Sequence, residues 1–120
     1  MELNKATGAL SALALPGRLS IFRLLVKAGG EGMAAGEIAR ATDTLPNTLS
    51  ANLNVLSAAG LIRSRRSGRS IIYTAAYDQM RDLLAYLVED CCAGKPAICA
   101  PLTDIIERAA CCEPTEGVPA

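Results

Sequence analysis

Apolar residues along this 120-residue chain recur in two rhythms, each predicting a different kind of element. Spacings of three and four predict helices, and alternation over short runs predicts strands. Residues 3–15 read as a helix closed by Pro16-Gly17. The stretch "RLSIFRLLVKAGG" then sets Leu19, Phe22, Leu25 and Val26 on one helical face, with Gly29-Gly30 as its stop. After a loop, "EGM", the run "AAGEIARAT" predicts a short helix with Ile38 and Ala41 turned inward. "DTLPN" is a turn whose Pro46 suits the first position of a further helix. That helix, "PNTLSANLNVLSAAG", buries Leu49, Leu53 and Leu56 and stops at Gly60.

The rhythm changes in "LIRSRRSGRSIIYTA", where two strand-like runs flank a Ser67-Gly68 turn, the pattern of a tight hairpin. Helical spacing returns in "YDQMRDLLAYLVEDCC", with Met80, Leu83, Leu84, Leu87 and Val88 forming one wide stripe. Beyond Gly94, Ile98, Leu102, Ile105 and Ile106 allow a short extra helix, and from Glu113 the Pro/Glu/Gly-rich tail predicts disorder. No internal repeat is present. The order of elements is that of a winged helix-turn-helix DNA-binding domain: mostly α (α+β), about five helices plus a two-stranded β-hairpin wing. The expected organisation is a DNA-binding and dimerisation domain over residues 1–92, a cysteine-bearing extension over 93–112, and a tail over 113–120.

Composition supports helices. One Phe, three Tyr and no Trp leave an aliphatic, alanine-rich core, which suits packed helices better than a sandwich. The net charge is zero, yet residues 1–75 hold nine Lys/Arg against four Asp/Glu, and residues 76–120 hold three against eight. A basic surface able to meet a polyanion is thus joined to an acidic end. The five cysteines cannot all pair within one chain. "MELNKATGALSALALPG" imitates a signal peptide only faintly, because Thr7, Gly8 and Ser11 interrupt its apolar run. No apolar stretch reaches the ~20 residues of a membrane span. A cytoplasmic protein with reduced thiols and no membrane partner is expected.

With three leucines inward, the recognition helix turns Asn47, Ala51 and Asn54 outward, with Thr48 and Ser50 beside them. Asn can bond an adenine edge with two hydrogen bonds, and Ser or Thr can serve bases or phosphates. Polar surface residues on an ordinary bundle would look similar, so the hairpin matters. Arg63, Arg65, Arg66 and Arg69 fall within seven residues, and no acid lies between Asp43 and Asp78. Such a run suits a phosphate clamp or a probe for a narrow minor groove.

The segment "LPNTLSANLNVLSAAGLIRSRRSGRSIIYTA" resembles the recognition helix and wing of the ArsR/SmtB family of metal- and metalloid-sensing repressors. "LALPGRLSIFRLLVKAG" is similar to that family's second helix, and the resemblance covers residues from about 10 to 91. Asn52 departs from it, standing where many relatives carry His. The resemblance implies a homodimer paired through its first and last helices, bound to an inverted-repeat operator in double-stranded DNA. A palindromic site suits two recognition helices about one DNA turn apart. A two-fold partner would also cover the stripe over residues 80–88.

Two ligand arrangements common in the family cannot be built here. "EGMAAGEIA" lacks a Cys-x-Cys pair, and the chain has no histidine. What remains is thiol-only: Cys91 and Cys92 continue the apolar stripe, and Gly94-Lys95-Pro96 permits a reversal that brings Cys99 back. The vicinal pair could instead be small buried residues at a dimer interface, though that leaves Cys99 unexplained. Three thiolates suit As(III) or Sb(III) as inducer, with no organic cofactor. A structural zinc would want four ligands, while cadmium, lead or copper(I) also favour sulfur, and methylated trivalent arsenic needs only two thiols. The resemblance points the same way, since some arsenic-responsive members carry a vicinal Cys pair and a third Cys near the C-terminal end. Cys111 and Cys112 could be auxiliary thiols or tail residues of no consequence. A disulfide-based redox switch on the same scaffold is the competing reading. A thiol-dependent arsenate reductase is remote, because no Arg-lined loop and no His base accompany these thiols.

Overall fold

The computed structural model describes residues 1–88 and leaves 89–120 undescribed. Among the described residues, five helices and a three-stranded antiparallel sheet build a winged helix-turn-helix. Helix α1 (Leu3–Ala12) buries Ala6, Ala9 and Ala12, and these small side chains let it pack against α4 (Pro46–Ala58) and α5 (Tyr77–Val88). It stops at Ala12, earlier than the sequence suggests. Arg18, in the first turn of α2 (Pro16–Ala28), donates through Nε to the Ala12 carbonyl and through Nη2 to that of Ser11, the latter at 3.3 Å. A cation thereby satisfies the last carbonyls of α1. Pro16-Gly17 is accordingly not the end of α1: Pro16 occupies the first turn of α2, where its missing N–H costs nothing.

Helix α2 buries Ile21, Phe22 and Leu25, whereas the sequence pattern favoured Leu19, which is exposed. The inward face is rotated toward Ile21, which with Leu25 is fully buried. A single 3-10 turn (Gly29–Glu31) follows, then a two-residue strand, β1 (Met33–Ala34). The sequence predicts a plain loop here and two strands in all. Two residues are too few to show alternation, and β1 exists because β3 (Ser70–Ala75) offers it a free edge, with Met33 opposite Tyr73 and Ala34 opposite Ile72. Gly32, at φ +70°, makes that approach possible, because a Cβ there would sit 2.4 Å from the Tyr73 carbonyl oxygen.

Helices α3 (Ala35–Thr42) and α4 form the helix-turn-helix. Glu37 accepts the Ala34 N–H at 2.9 Å, which is half of a capping box, since Ala34 has no side-chain oxygen to return the bond. Ile38 is fully buried, but Ala41 is exposed, and Ala39 packs on the core instead. Asp43 closes α3 in the left-handed region at φ 52°, and the Thr42 hydroxyl bonds the Ile38 carbonyl at 2.7 Å. Leu49, Leu53 and Leu56 of α4 are buried as their spacing predicts.

The chain then enters β2 (Ile62–Ser67), which pairs with β3 to give the sheet order β1-β3-β2. Ser67 lies opposite Ser70, so the two-residue turn is Gly68-Arg69, one place later than the sequence suggests. Gly68 has φ +63° while Arg69 does not cross into positive φ, the arrangement of a turn with glycine first. Helix α5 packs against α1, and the Tyr77 hydroxyl donates to the Val26 carbonyl at 2.7 Å, fixing the start of α5 to the end of α2. Of the stripe on α5, only Leu83 is buried; Met80, Leu84 and Val88 are half-covered and Leu87 is 50% exposed. Among the described residues no single helix is long and apolar enough to cross a membrane; α1 and the run from Pro16 to Glu31 would suffice in sum but meet at a 100° bend.

Candidate nucleic-acid interface

The core dictates how α4 presents its polar face. Three leucines at i, i+4 and i+7 are pinned among Ile21, Leu25, Ile38 and Leu61 in one cluster, so the opposite face must point to solvent. Asn47, Thr48, Ser50, Ala51 and Asn54 are all exposed there, with Asn52 half-buried at the flank. Asn52 lies against α2: a Cβ added at Gly17 would come within 3.3 Å of its Nδ2. The residue that departs from the family pattern thus meets the first turn of α2, away from the outward face. Leu45, the N-cap of α4, supplies no side-chain acceptor. The first-turn N–H groups of Asn47 and Thr48 are left without a side-chain cap, a favourable place for a phosphate. Leu45 itself is 74% exposed beside them. Its place here carries no sequence signal, because an isolated leucine before a proline has no periodicity.

The wing grows out of α4 through a short corner. The Leu61 N–H donates to the Leu56 carbonyl at 3.1 Å, and the Ala76 N–H donates to Leu61 at 2.8 Å, so both strands are anchored where the helix ends. Beyond Ile62 every residue of β2 is exposed. All four predicted arginines are therefore at the surface, but their situations differ. Arg63 donates from Nη2 to Oδ2 of Asp78 at 2.9 Å, joining the root of the wing to the first turn of α5. This hydrogen bond and the guanidinium charge hold the Asp78 carboxyl below its ordinary value of 3.8, and Arg63 is raised in turn. Arg65 reaches back to the Glu31 carbonyl at 3.1 Å and the Gly30 carbonyl at 3.5 Å, at the end of the 3-10 turn. Arg66 and Arg69 make no hydrogen bond or ion pair among the described residues. Asp78 was the functional neighbour missed from sequence: the acid-free stretch ends at the very residue that pairs with Arg63.

The cysteines expected from the sequence to bind a metalloid, Cys91, Cys92 and Cys99, the further thiols Cys111 and Cys112, and the expected domain boundaries at 92 and 112 all lie outside the described residues. Among the described residues no group of three His, Cys, Asp or Glu side chains could hold a metal.

Comparison with known proteins bears on the same region. Residues 13–65, from the end of α1 through the first residues of β2, match a family model described as a helix-turn-helix domain. Over 82 residues the chain is 38% identical to the nodulation protein NolR of Rhizobium meliloti, a match spanning 68% of this chain and 65% of that protein's length. The solution structure of a homodimeric winged helix-turn-helix DNA-binding domain, Mb0332 of Mycobacterium bovis, a possible ArsR-family transcriptional regulator, is 34% identical. It covers 71% of this chain and 77% of its own, with a TM-score of 0.60. NolR from Sinorhizobium fredii is 37% identical, covering 72% of this chain and 83% of its own, with a TM-score of 0.59. The chain belongs to the ArsR family of winged helix-turn-helix transcriptional regulators.

Proposed function

We propose that this ArsR-family protein is a homodimeric repressor that binds an inverted-repeat operator and releases it when trivalent arsenic or antimony binds Cys91, Cys92 and Cys99. The observation that carries the DNA half is the conjunction of a core-locked α4 with its polar face outward and an acid-free arginine wing at its end. Dimerisation is supported by what α1, α2 and α5 leave uncovered. Leu3, Leu10, Leu19 and Leu87 are exposed, and an apolar groove of about 320 Å³ runs between α2 and α5, lined by residues such as Phe22, Val26, Leu83 and Leu84. Surfaces of this kind are usually interfaces, and Mb0332 is itself homodimeric.

The inducer half rests on the donor set. The chain offers thiols, no imidazole, and a vicinal pair that begins three residues beyond the last residue of α5 in sequence. Three sulfurs suit a pyramidal trivalent metalloid, whose lone pair takes the fourth direction. Linking Cys99 to Cys91 and Cys92 would act on the chain that leads out of α5, the helix whose Asp78 meets the wing root. If the metalloid-bound form fits DNA less well, affinity falls by the coupling free energy, typically ~1–3 kcal/mol, and DNA-bound protein binds the metalloid more weakly by the same factor.

The test is operator release followed by fluorescence anisotropy in reduced buffer. Arsenite is titrated against wild type and against Cys91→Ser, Cys92→Ser and Cys99→Ser singly. Release by wild type that each variant loses supports three-thiol sensing. Release by peroxide but not arsenite moves the site to a redox switch, and release by cadmium, lead or copper(I) alone moves it to a soft-metal sensor.

A further inference from the structure

We infer that the four wing arginines divide by role: Arg66 and Arg69 at the tip hold the DNA backbone, while Arg63 and Arg65 position the wing and contribute no phosphate contact of their own. The inference rests on the DNA-binding reading above and deepens it.

The division follows from the pleat and the register. Residues 63 and 65 share one face of β2, and residue 66 lies on the other. On the first face each arginine finds an acceptor within the protein. Arg63 meets a carboxylate on α5, and Arg65 meets two carbonyls at the 3-10 turn that leads into β1. The ties reach two separate elements: one runs from β2 to α5, which follows β3, the other to the 3-10 turn that precedes β1. An exposed two-stranded ribbon has little core of its own to hold its angle. Beyond Ile62 the strand buries nothing. Two long side chains anchored on two separate elements supply what packing does not.

The tip is different. Arg69 is the second turn residue, and Arg66 stands opposite Ile71, next to the closing pair Ser67 and Ser70. Neither arginine has a partner among the described residues, and the hydroxyls and glycine around them carry no competing charge. A guanidinium already engaged by a carboxylate gives up that bond to take a phosphate, whereas a free one gives up only water. Binding therefore recruits the tip pair first.

Salt dependence separates the roles. Each phosphate contact adds about 0.9 to the slope of log affinity against log salt on duplex DNA, so a substitution removing one contact per subunit lowers a dimer's slope by about 1.8. Slopes are measured by anisotropy on nonspecific duplex DNA with the full-length protein, for Arg63→Gln, Arg65→Gln, Arg66→Gln and Arg69→Gln. Arg66→Gln and Arg69→Gln are expected to lower the slope by about 1.8 each, and Arg66→Lys to restore it. Arg63→Gln and Arg65→Gln are expected to keep the wild-type slope while speeding amide hydrogen exchange along residues 63–73. Asp78→Asn should reproduce the Arg63→Gln exchange pattern, and the double variant should add nothing further. Equal loss of slope at all four positions, or no loss at Arg66 and Arg69, overturns the inference. A wild type with no salt-dependent affinity for DNA overturns the DNA-binding reading itself, and this inference with it.

Discussion

The recognition helix and the wing lie side by side, yet they are held in place by opposite means. Helix α4 is fixed from beneath: Leu49, Leu53 and Leu56 sit in the common core, and no hydrogen bond or ion pair is needed to set its outward face. The wing is fixed mainly from outside the core: its buried residues, Ile62 and Ala75, sit at its root, and two arginine ties hold the exposed part of β2. Burial sets position to a fraction of an ångström, because packed cores deform little. Exposed ties leave freedom. A reader of base edges benefits from the first kind of support, and a clamp that must settle on a variable backbone benefits from the second.

The largest effect that would break this contrast comes from the core. Leu56→Ala removes a fully buried side chain and should cost about 2–5 kcal/mol. Thermal unfolding should show the loss, with DNA affinity falling in parallel. Gly32→Ala should be next, at roughly 1–3 kcal/mol, since its Cβ would strike the backbone of Tyr73. Chemical denaturation measures it, and hydrogen exchange should place the damage on β1 and β3. Tyr77→Phe removes the 2.7 Å bond to Val26 and should cost about 0.5–1.5 kcal/mol in the same denaturation experiment, without altering DNA salt dependence.

The smallest expected effect concerns Asp78. Its carboxyl titrates below the ordinary value of 3.8 when folded, chiefly through the Arg63 hydrogen bond. The tie is therefore fully present above that ordinary range and is lost as pH falls through the lowered value. Both partners are well exposed, at 58% and 50%, so the stability change should be slight. Wing amide exchange should respond below about pH 4, and Asp78→Asn should abolish the response.

Sequence periodicity found α4, whose three buried leucines are written in the spacing, and it also placed α3 and the start of α5, although those bury only Ile38 and Leu83. It misjudged features that depend on partners distant in sequence. Ala12 ends α1 because Arg18 folds back on it. Ile21 replaces Leu19 inside because the neighbouring elements, not the helix itself, select which flank is covered. Strand β1 requires an edge supplied forty residues later, at Ile72 and Tyr73. The candidate DNA-reading residues were legible as a set, since exposure of a polar helix face follows from burial of its opposite. The difference among the arginines was not legible, because it depends on Asp78 and on two backbone carbonyls.

The most direct test compares two double variants, Asn47→Ala/Asn54→Ala on α4 and Arg66→Gln/Arg69→Gln on the wing. Affinity is measured for an operator and for a scrambled duplex of the same length across a range of salt. The account predicts that the asparagine variant loses discrimination, by about 1–3 kcal/mol for each base contact, with its salt slope unchanged. The arginine variant should lose slope and affinity on both duplexes alike and keep its discrimination. If the asparagine variant loses slope, or the arginine variant loses discrimination to the same extent, the separation of reading from gripping is wrong.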